Sequence, residues 1–100
     1  MLKIALFCSA GMSTSLLVNK IRKEASNQSL ECEVQAFPIA TAAKNGNDVD
    51  VILLGPQVRA NKEIVVKACP GIPVECIDMR DYGTLNAKNI LKRAKELAGK

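Results

Sequence analysis

The residues best suited to chemistry are a cysteine, Cys8, and the loop of mainly small side chains that follows it. Small residues allow backbone N–H groups to converge, and the N-terminus of the next helix adds about half a positive charge, so the loop suits an anion. The same environment favours the thiolate, the nucleophilic form of cysteine. Cys8 is therefore predicted to attack a phosphoryl or arsenyl group, within a phosphate-binding loop of Ser9, Ala10, Gly11, Met12, Ser13, Thr14 and Ser15. The alternative is a buried cysteine at a strand end, followed by a serine-rich helix cap.

The loop differs from the established phosphate-binding motifs. Neither G-x-x-x-x-G-K-[ST] nor G-x-G-x-x-G occurs in the chain, which gives no support to nucleotide hydrolysis or dinucleotide binding. The cysteine phosphatase motif, C-x5-R, would need arginine where Thr14 stands, and the nearest arginine is Arg22. Because that arginine binds phosphate and stabilises the transition state, a loop of amides and hydroxyls alone does less to hasten hydrolysis. The pattern predicts a protein that carries a phosphoryl group rather than one that discards it.

The other residue types exclude several kinds of site. The chain contains no histidine, which excludes a phosphohistidine, a Ser-His or Cys-His dyad and imidazole metal sites within it. The four cysteines form no C-x-x-C motif, so no metal and no cofactor is predicted. Cys32 and Cys76 are predicted to be small core residues, and Cys69 to close a helix.

The composition bounds the class of protein. One hundred residues, 48% of them hydrophobic, predict a single domain spanning residues 1–100. No apolar run approaches the ~18 residues of a membrane span, and the N-terminal run is shorter than the ~7 to 15 residues of a secretory signal, so a cytoplasmic protein is expected. The net charge of +4 lies mostly in two helical stretches, but the chain has only three aromatic residues. Solvated helix faces are favoured over nucleic-acid binding.

The periodicity of apolar residues predicts strands alternating with helices. Strands are expected at 2–7, 31–37, 49–54 and 73–77, and helices at 12–25 and 39–43, from Gly55-Pro56 to Pro70-Gly71, and from an Asn86 cap to Gly99. This order predicts an α/β fold, a three-layer α/β/α sandwich around a parallel sheet. The first helix is expected to bury Met12, Leu16, Leu17, Ile21 and Ala25, and the third to bury Val58, Ile64, Val65 and Ala68.

Polar residues that follow the third and fourth strands are candidates for the same site, because sites in parallel sheets form at the carboxyl ends of the strands. Gln57 can reach this edge, or it is an ordinary polar residue at a helix start. Asp78 and Asp81 can act as general acids, but an ionised carboxylate repels phosphate, and turn or cap roles are the alternative. Tyr82, which also follows the fourth strand, is the last of these candidates.

The chain resembles the IIB component of the bacterial phosphoenolpyruvate-dependent sugar phosphotransferase system, in its lactose, cellobiose and diacetylchitobiose class. The resemblance rests on residues 6–17 (LFCSAGMSTSLL), with support from residues 51–57 (VILLGPQ), Val74 to Asp78 and Tyr82-Gly83. It implies a four-stranded parallel sheet of order 2-1-3-4, similar to low-molecular-weight tyrosine phosphatases. It also implies a relay: a IIA phosphohistidine donates to Cys8, and phospho-Cys8 passes the group to a disaccharide on the membrane IIC component, with which the protein associates peripherally.

Two other functions stay open on the sequence alone. One is thiol-based hydrolysis, by a phosphatase or an arsenate reductase, which the absent arginine disfavours. The other is a non-enzymatic regulatory module that uses the loop only to hold phosphate. The rim around Cys8 is expected to be the docking surface for donor and acceptor in turn, with small transient interfaces.

Overall fold

The computed structural model describes residues 1–9 and 12–100, with the backbone alone at 12–14, and it confirms the predicted alternation of strands and helices. The strands are β1 (Leu2–Cys8), β2 (Cys32–Pro38), β3 (Val51–Leu54) and β4 (Val74–Cys76). The helices are α1 (Met12–Asn27), α2 (Ala42–Asn45), α3 (Lys62–Ala68), α4 (Met79–Gly83) and α5 (Ala87–Ala98). Two 3-10 helices, Ile39–Thr41 and Pro56–Asn61, lead into α2 and α3.

The four strands form one parallel sheet of order β2-β1-β3-β4, which is the order implied by the family resemblance. β1 and β3 occupy the centre, and every residue of β3 is buried. β2 and β4 are the edges, where exposed or half-buried residues predominate. Unbroken apolar runs in the centre and mixed edges are what a sheet covered on both faces requires.

The two faces of the sheet bury separate sets of side chains, because successive strand residues point to opposite faces. Ile4 and Leu6 of β1 pack beneath α1 and α5, whereas Ala5 and Phe7 pack beneath α2 and α3. Cys8 follows Leu6 by two positions, and the pleat therefore directs its side chain to the α1 face. The helices do form two outer layers, as predicted.

Two residues expected in the core lie on the surface. Leu16 is 53% exposed, because the buried stripe of α1 runs through Leu17, Ile21 and Ala25, one residue and about 100° further round the helix. Ile64 is 65% exposed, because the predicted third helix is in fact a 3-10 helix followed by α3, with non-helical dihedral angles at Val58. The tighter winding and this kink shift the helical phase, so that α3 buries Val65 but not its neighbour.

Local signals at the helix ends agree with the structure. The Asn86 side chain accepts a hydrogen bond from Asn89 N at 3.2 Å, which caps α5. Gly99 ends this helix in the left-handed conformation, with φ of 73°. Cys69 is the C-cap of α3, as predicted. The short helix α4 was not predicted, since its five residues are too few to show a periodicity.

The substitution Gly46→Ala is expected to destabilise the fold by about 1–3 kcal/mol, because it overpacks a closed site. A Cβ at Gly46 would lie 2.6 Å from the buried Cys69 Sγ and 2.8 Å from the Ala42 carbonyl oxygen. Chemical denaturation of the variant measures this loss. Adding Cys69→Ala removes one of the two clashes and should restore part of the stability. An unchanged unfolding free energy for Gly46→Ala would contradict this account of the packing.

Candidate active site

Cys8 is the last residue of β1, in the middle of the sheet. Its Cα pairs with that of Pro38 on one side, and on the other side Gly55 N donates to the carbonyl of Phe7 at 2.9 Å. The residue is only 2% exposed. A thiol therefore lies at the carboxyl end of a central strand, four positions before a helix begins, as the sequence predicts.

The loop that follows lies partly outside the described residues. Ser9 is exposed, Ala10 and Gly11 are outside the described range, and nothing is described of the side chains of Met12, Ser13 and Thr14. Ser15 is exposed on the first turn of α1. The phosphate-binding role of these residues stays a prediction. The sixteen-residue α1 begins at this edge without an acidic residue in its first turn, so its N-terminal dipole is not opposed by a carboxylate there.

The structure brings Gln57 to the same edge as Cys8. Gly55 is buried directly after β3, and a Cβ at this position would lie 3.6 Å from Cys8 Cβ and 2.7 Å from Gln57 Oε1. The Gln57 carboxamide therefore folds back over Gly55, where a larger residue would displace it. The Gly-Pro pair after an apolar strand was the sequence signal for this approach, although it did not show the direction of the carboxamide.

A shallow depression of about 380 Å³ extends from Gln57 toward α4. Pro56, Gln57, Met79 and Tyr82 line it. Met79 is 69% exposed, whereas Tyr82 is half-buried and also packs against the core beneath α1 and α5. Gln57 and Tyr82 were predicted from the sequence, whereas Met79 was not, because its exposure depends on the unpredicted helix α4.

Asp78 and Asp81 do not line this depression. The Asp78 carboxylate accepts hydrogen bonds from the backbone N–H groups of Arg80 at 2.8 Å and Asp81 at 3.3 Å, and it thereby caps α4. Both aspartates line a different cavity, of about 360 Å³, between β4 and α5. The cap interpretation holds for Asp78, and the structure gives no support to a general-acid role beside Cys8.

Burial makes two of the other thiols unreactive. Desolvation raises the pKa of both Cys32 and Cys69, which keeps these thiols protonated at neutral pH. Cys69 Sγ also lies 3.3 Å from the Ala42 carbonyl oxygen, as its hydrogen-bond donor. Among the described residues, no group of three or more Cys, Asp or Glu side chains is arranged to hold a metal ion. No helix within that part of the chain is long and apolar enough to span a membrane.

The family model described as "PTS system, Lactose/Cellobiose specific IIB subunit" matches residues 3–93. The cellobiose-specific EIIB component of Lactococcus lactis subsp. lactis (strain IL1403) is 41% identical, over 94% of each chain. The galactose-specific EIIB component of Lactococcus lactis subsp. cremoris (strain MG1363) is also 41% identical over 94% of each chain. The oligo-beta-mannoside-specific EIIB component of Bacillus subtilis (strain 168) is 38% identical, over 97% of this chain and 96% of the relative.

Solved structures support the same relationship. The solution structure of the cellobiose-specific phosphotransferase IIB component from Borrelia burgdorferi has a TM-score of 0.82 at 36% identity, covering 98% of this chain and 92% of that one. The lactose-specific IIB domain from Streptococcus pneumoniae has a TM-score of 0.81, over 96% of each chain. Its 20% identity shows the shared fold alone.

Proposed function

Because the chain belongs to the lactose/cellobiose-specific IIB family of the sugar phosphotransferase system, we propose that Cys8 is its phosphoryl carrier. A IIB component works with IIA and IIC partners, and in this proposal the donor is a phosphohistidine on IIA. The acceptor is a disaccharide of the cellobiose, lactose or chitobiose type on the membrane IIC component. The observation that supports the proposal most directly is the position of Cys8, at the carboxyl end of the central strand β1 and just before the N-terminus of α1.

Both proposed steps take place at the sulfur atom of Cys8. The Cys8 thiolate attacks phosphorus, an S–P bond forms, and the N–P bond of the donor histidine breaks, leaving that imidazole to take up a proton. A sugar hydroxyl then attacks the same phosphorus, the S–P bond breaks, and the thiolate returns as the hydroxyl loses its proton. Exclusion of water protects a reactive intermediate from hydrolysis, and the burial of Cys8 suits that requirement.

The position of Arg22 argues against a hydrolytic enzyme. In a phosphatase loop an arginine binds the phosphate through two N–H groups. Here Arg22, the nearest arginine in the sequence, donates from Nη2 at 2.7 Å and from Nε at 3.2 Å to the carbonyl of Val34 on β2. Its guanidinium is therefore engaged on the edge strand, which favours the carrier over the phosphatase.

We further propose that Gln57 donates a hydrogen bond from its carboxamide to the phosphoryl group on Cys8. Its folded-back side chain and Cys8 both approach the space above Gly55. The variant Gln57→Ala is expected to slow phosphoryl transfer by about 10- to 100-fold, since one hydrogen bond to a charged group is worth roughly 1.5–3 kcal/mol. Rapid-quench measurement of Cys8 phosphorylation gives the rate.

A matched variant, Gly55→Ala, tests whether the position of the Gln57 carboxamide matters as well as its presence. The new Cβ would clash with Gln57 Oε1 but stay in ordinary contact with Cys8, so it displaces the carboxamide and leaves the thiol in place. The rate should fall in both variants, whereas the double variant should be no slower than Gln57→Ala alone. A wild-type rate in Gln57→Ala would show that Gln57 is only a polar residue at a helix start.

The exposed rim of this edge is the proposed docking surface for IIA and IIC in turn. Met79 and Leu16 place large apolar side chains on its surface, at α4 and at the beginning of α1. Residues 1–100 are proposed to act as one cytoplasmic domain that associates peripherally with the IIC component. The sugar is proposed to be selected by IIC, because relatives named for cellobiose and for galactose are equally similar to this chain.

Intact-mass spectrometry tests the proposed function. The protein is incubated with phosphoenolpyruvate, the general phosphotransfer proteins and a IIA protein, and its mass should rise by about 80 Da, one phosphoryl group. Peptide mapping should place the group on Cys8. No mass increase with several IIA proteins of this class would contradict the carrier proposal. Turnover of small phosphate esters would then favour a phosphatase, and phosphate binding alone would favour a regulatory module.

A further inference from the structure

Most of the positive charge of the protein lies on one of its two helical layers. α1 and residues 87–100 contain eight of the 14 basic residues but only two of the 10 acidic residues, whereas the rest of the chain has six basic and eight acidic residues. Both helices pack on the same face of the sheet, through a core that includes Ile21 and Leu91. The outer surface of this layer is therefore basic, while the remainder of the molecule is slightly acidic.

The basic residues of this layer that have no partner in the described part of the chain, and could therefore bind a ligand, are lysines. Arg22 is engaged on β2, Arg93 forms a bidentate ion pair with Glu75 at 2.7 and 2.9 Å, and Lys100 pairs with Asp50 at 3.2 Å. Five further lysines form no ion pair with residues 1–9 or 15–100. These five, called the lysine face below, are Lys20, Lys23, Lys88, Lys92 and Lys95.

The lysine face includes side chains from both helices of this layer. Lys88, Lys92 and Lys95 follow one another at helical spacing and line a shallow groove with Gln28, which follows α1 directly. Lys20 and Lys23 are exposed on the neighbouring helix. The two acidic side chains of this layer have partners of their own: Glu24 accepts from the Gln28 amide at 2.9 Å, and Glu96 lies 3.6 Å from Arg93.

We propose that the lysine face binds the surface of an anionic lipid bilayer. Mobile, point-charged ammonium groups suit fluid headgroups, which need no fixed geometry. A protein partner would be met by aromatic and arginine anchors, and lysine is depleted in protein interfaces. The three aromatic residues of this chain lie on β1, β2 and α4 instead. This binding is independent of the phosphoryl relay and goes beyond it.

Binding of the lysine face to a bilayer would leave the edge of the sheet that contains Cys8 free. Cys8 lies at the carboxyl edge of the sheet, whereas Lys100 Nζ contacts the Met1 carbonyl at the opposite edge. The lysine face runs between these two edges on one side of the sandwich. A protein bound to a bilayer through this face presents Cys8 along the membrane plane, beside the bilayer rather than against it.

Vesicle cosedimentation tests the proposal with two triple variants of equal charge. Lys88→Gln/Lys92→Gln/Lys95→Gln removes three of the five charges of the lysine face, and Lys44→Gln/Lys62→Gln/Lys67→Gln removes the same charge from exposed positions of the opposite layer. The wild-type protein should bind vesicles containing phosphatidylglycerol, bind those of pure phosphatidylcholine far less, and lose affinity as salt rises. Each lysine at an anionic surface changes partitioning about fivefold, so the first variant, which loses three, should bind about 100-fold more weakly, and the control should lose less than about threefold.

Circular dichroism and Cys8 phosphorylation in solution, measured on the same proteins, separate a loss of folding or of the relay from a loss of lipid binding. Equal losses in the two variants would show attraction by net charge alone and overturn the proposal. Absence of wild-type binding at low salt would overturn it as well. If the first variant binds vesicles like the wild type but accepts phosphoryl from IIA more slowly, the face docks an acidic protein and the lipid proposal is wrong.

Discussion

The variant Cys8→Ser is expected to lose phosphoryl acceptance by at least about a thousandfold, because the substitution removes the proposed nucleophile. A serine hydroxyl has nearly the same size but is a much weaker nucleophile than a cysteine thiol near neutral pH. No histidine is present in the chain to act as a base for the hydroxyl. Intact-mass spectrometry after incubation with phosphorylated IIA measures the loss directly.

The structure supplies matched controls for this variant. Cys32 and Cys76 are both half-buried on edge strands: Cys32 begins β2 at the opposite end of the sheet, and Cys76 ends β4, two strands away from β1. Cys32→Ser and Cys76→Ser should therefore accept the group at rates close to that of the wild type. A phosphorylated Cys8→Ser protein, or a loss of acceptance confined to one of the control variants, would place the acceptor elsewhere.

The variant Phe7→Ala is expected to lower the free energy of unfolding by about 3–5 kcal/mol, a large part of the ~5–15 kcal/mol that stabilises a typical domain. Phe7 is fully buried on the central strand, where it packs beneath α2 and α3 in the core that contains Ile52, Leu54 and Val65. Removing its ring leaves a cavity that strands fixed on both sides cannot fill. Urea denaturation followed by circular dichroism gives the change.

Phe37→Ala deletes the same ring from an edge strand and is the matched control. The two rings lie 5.7 Å apart at an interplanar angle of 35°, but Phe37 is half-buried on β2. Its loss should be about half as large, since less apolar surface leaves water there. Equal losses in the two variants would show that the central strand has no special place in the core.

Much of the fold followed from local patterns in the sequence. The unbroken apolar runs of β1 and β3 indicate strands that are buried on both faces of a sheet. The alternation of polar and apolar residues in β2 indicates an edge strand. The Asn86 cap and the Gly99 terminus of α5 depend on neighbouring residues only. The alternation of strands and helices then indicated a parallel sheet, because parallel strands need a crossover connection, which is usually a helix. The strand order came from the family resemblance and not from the pattern.

Other features depend on contacts that no local pattern contains. Leu16 and Leu17 are adjacent and equally apolar, and only the direction of α1 over the sheet buries one of them. Ile64 fits a continuous helix, whereas the 3-10 segment before α3 turns it outward. The capping function of Asp78 required α4, a helix too short to be predicted from periodicity.

The candidate site divides in the same way. The sequence by itself predicts Cys8 as the nucleophile, since a cysteine before a loop of small residues and a helix start is a local arrangement, and it also shows that the loop contains no histidine or arginine. Only the tertiary structure decided that Gln57 lies beside Cys8, that Arg22 is engaged on β2, and that the lysines of α1 and α5 share one surface. These residues are far apart along the chain, and their proximity is set by how the strands pair and which face each helix covers.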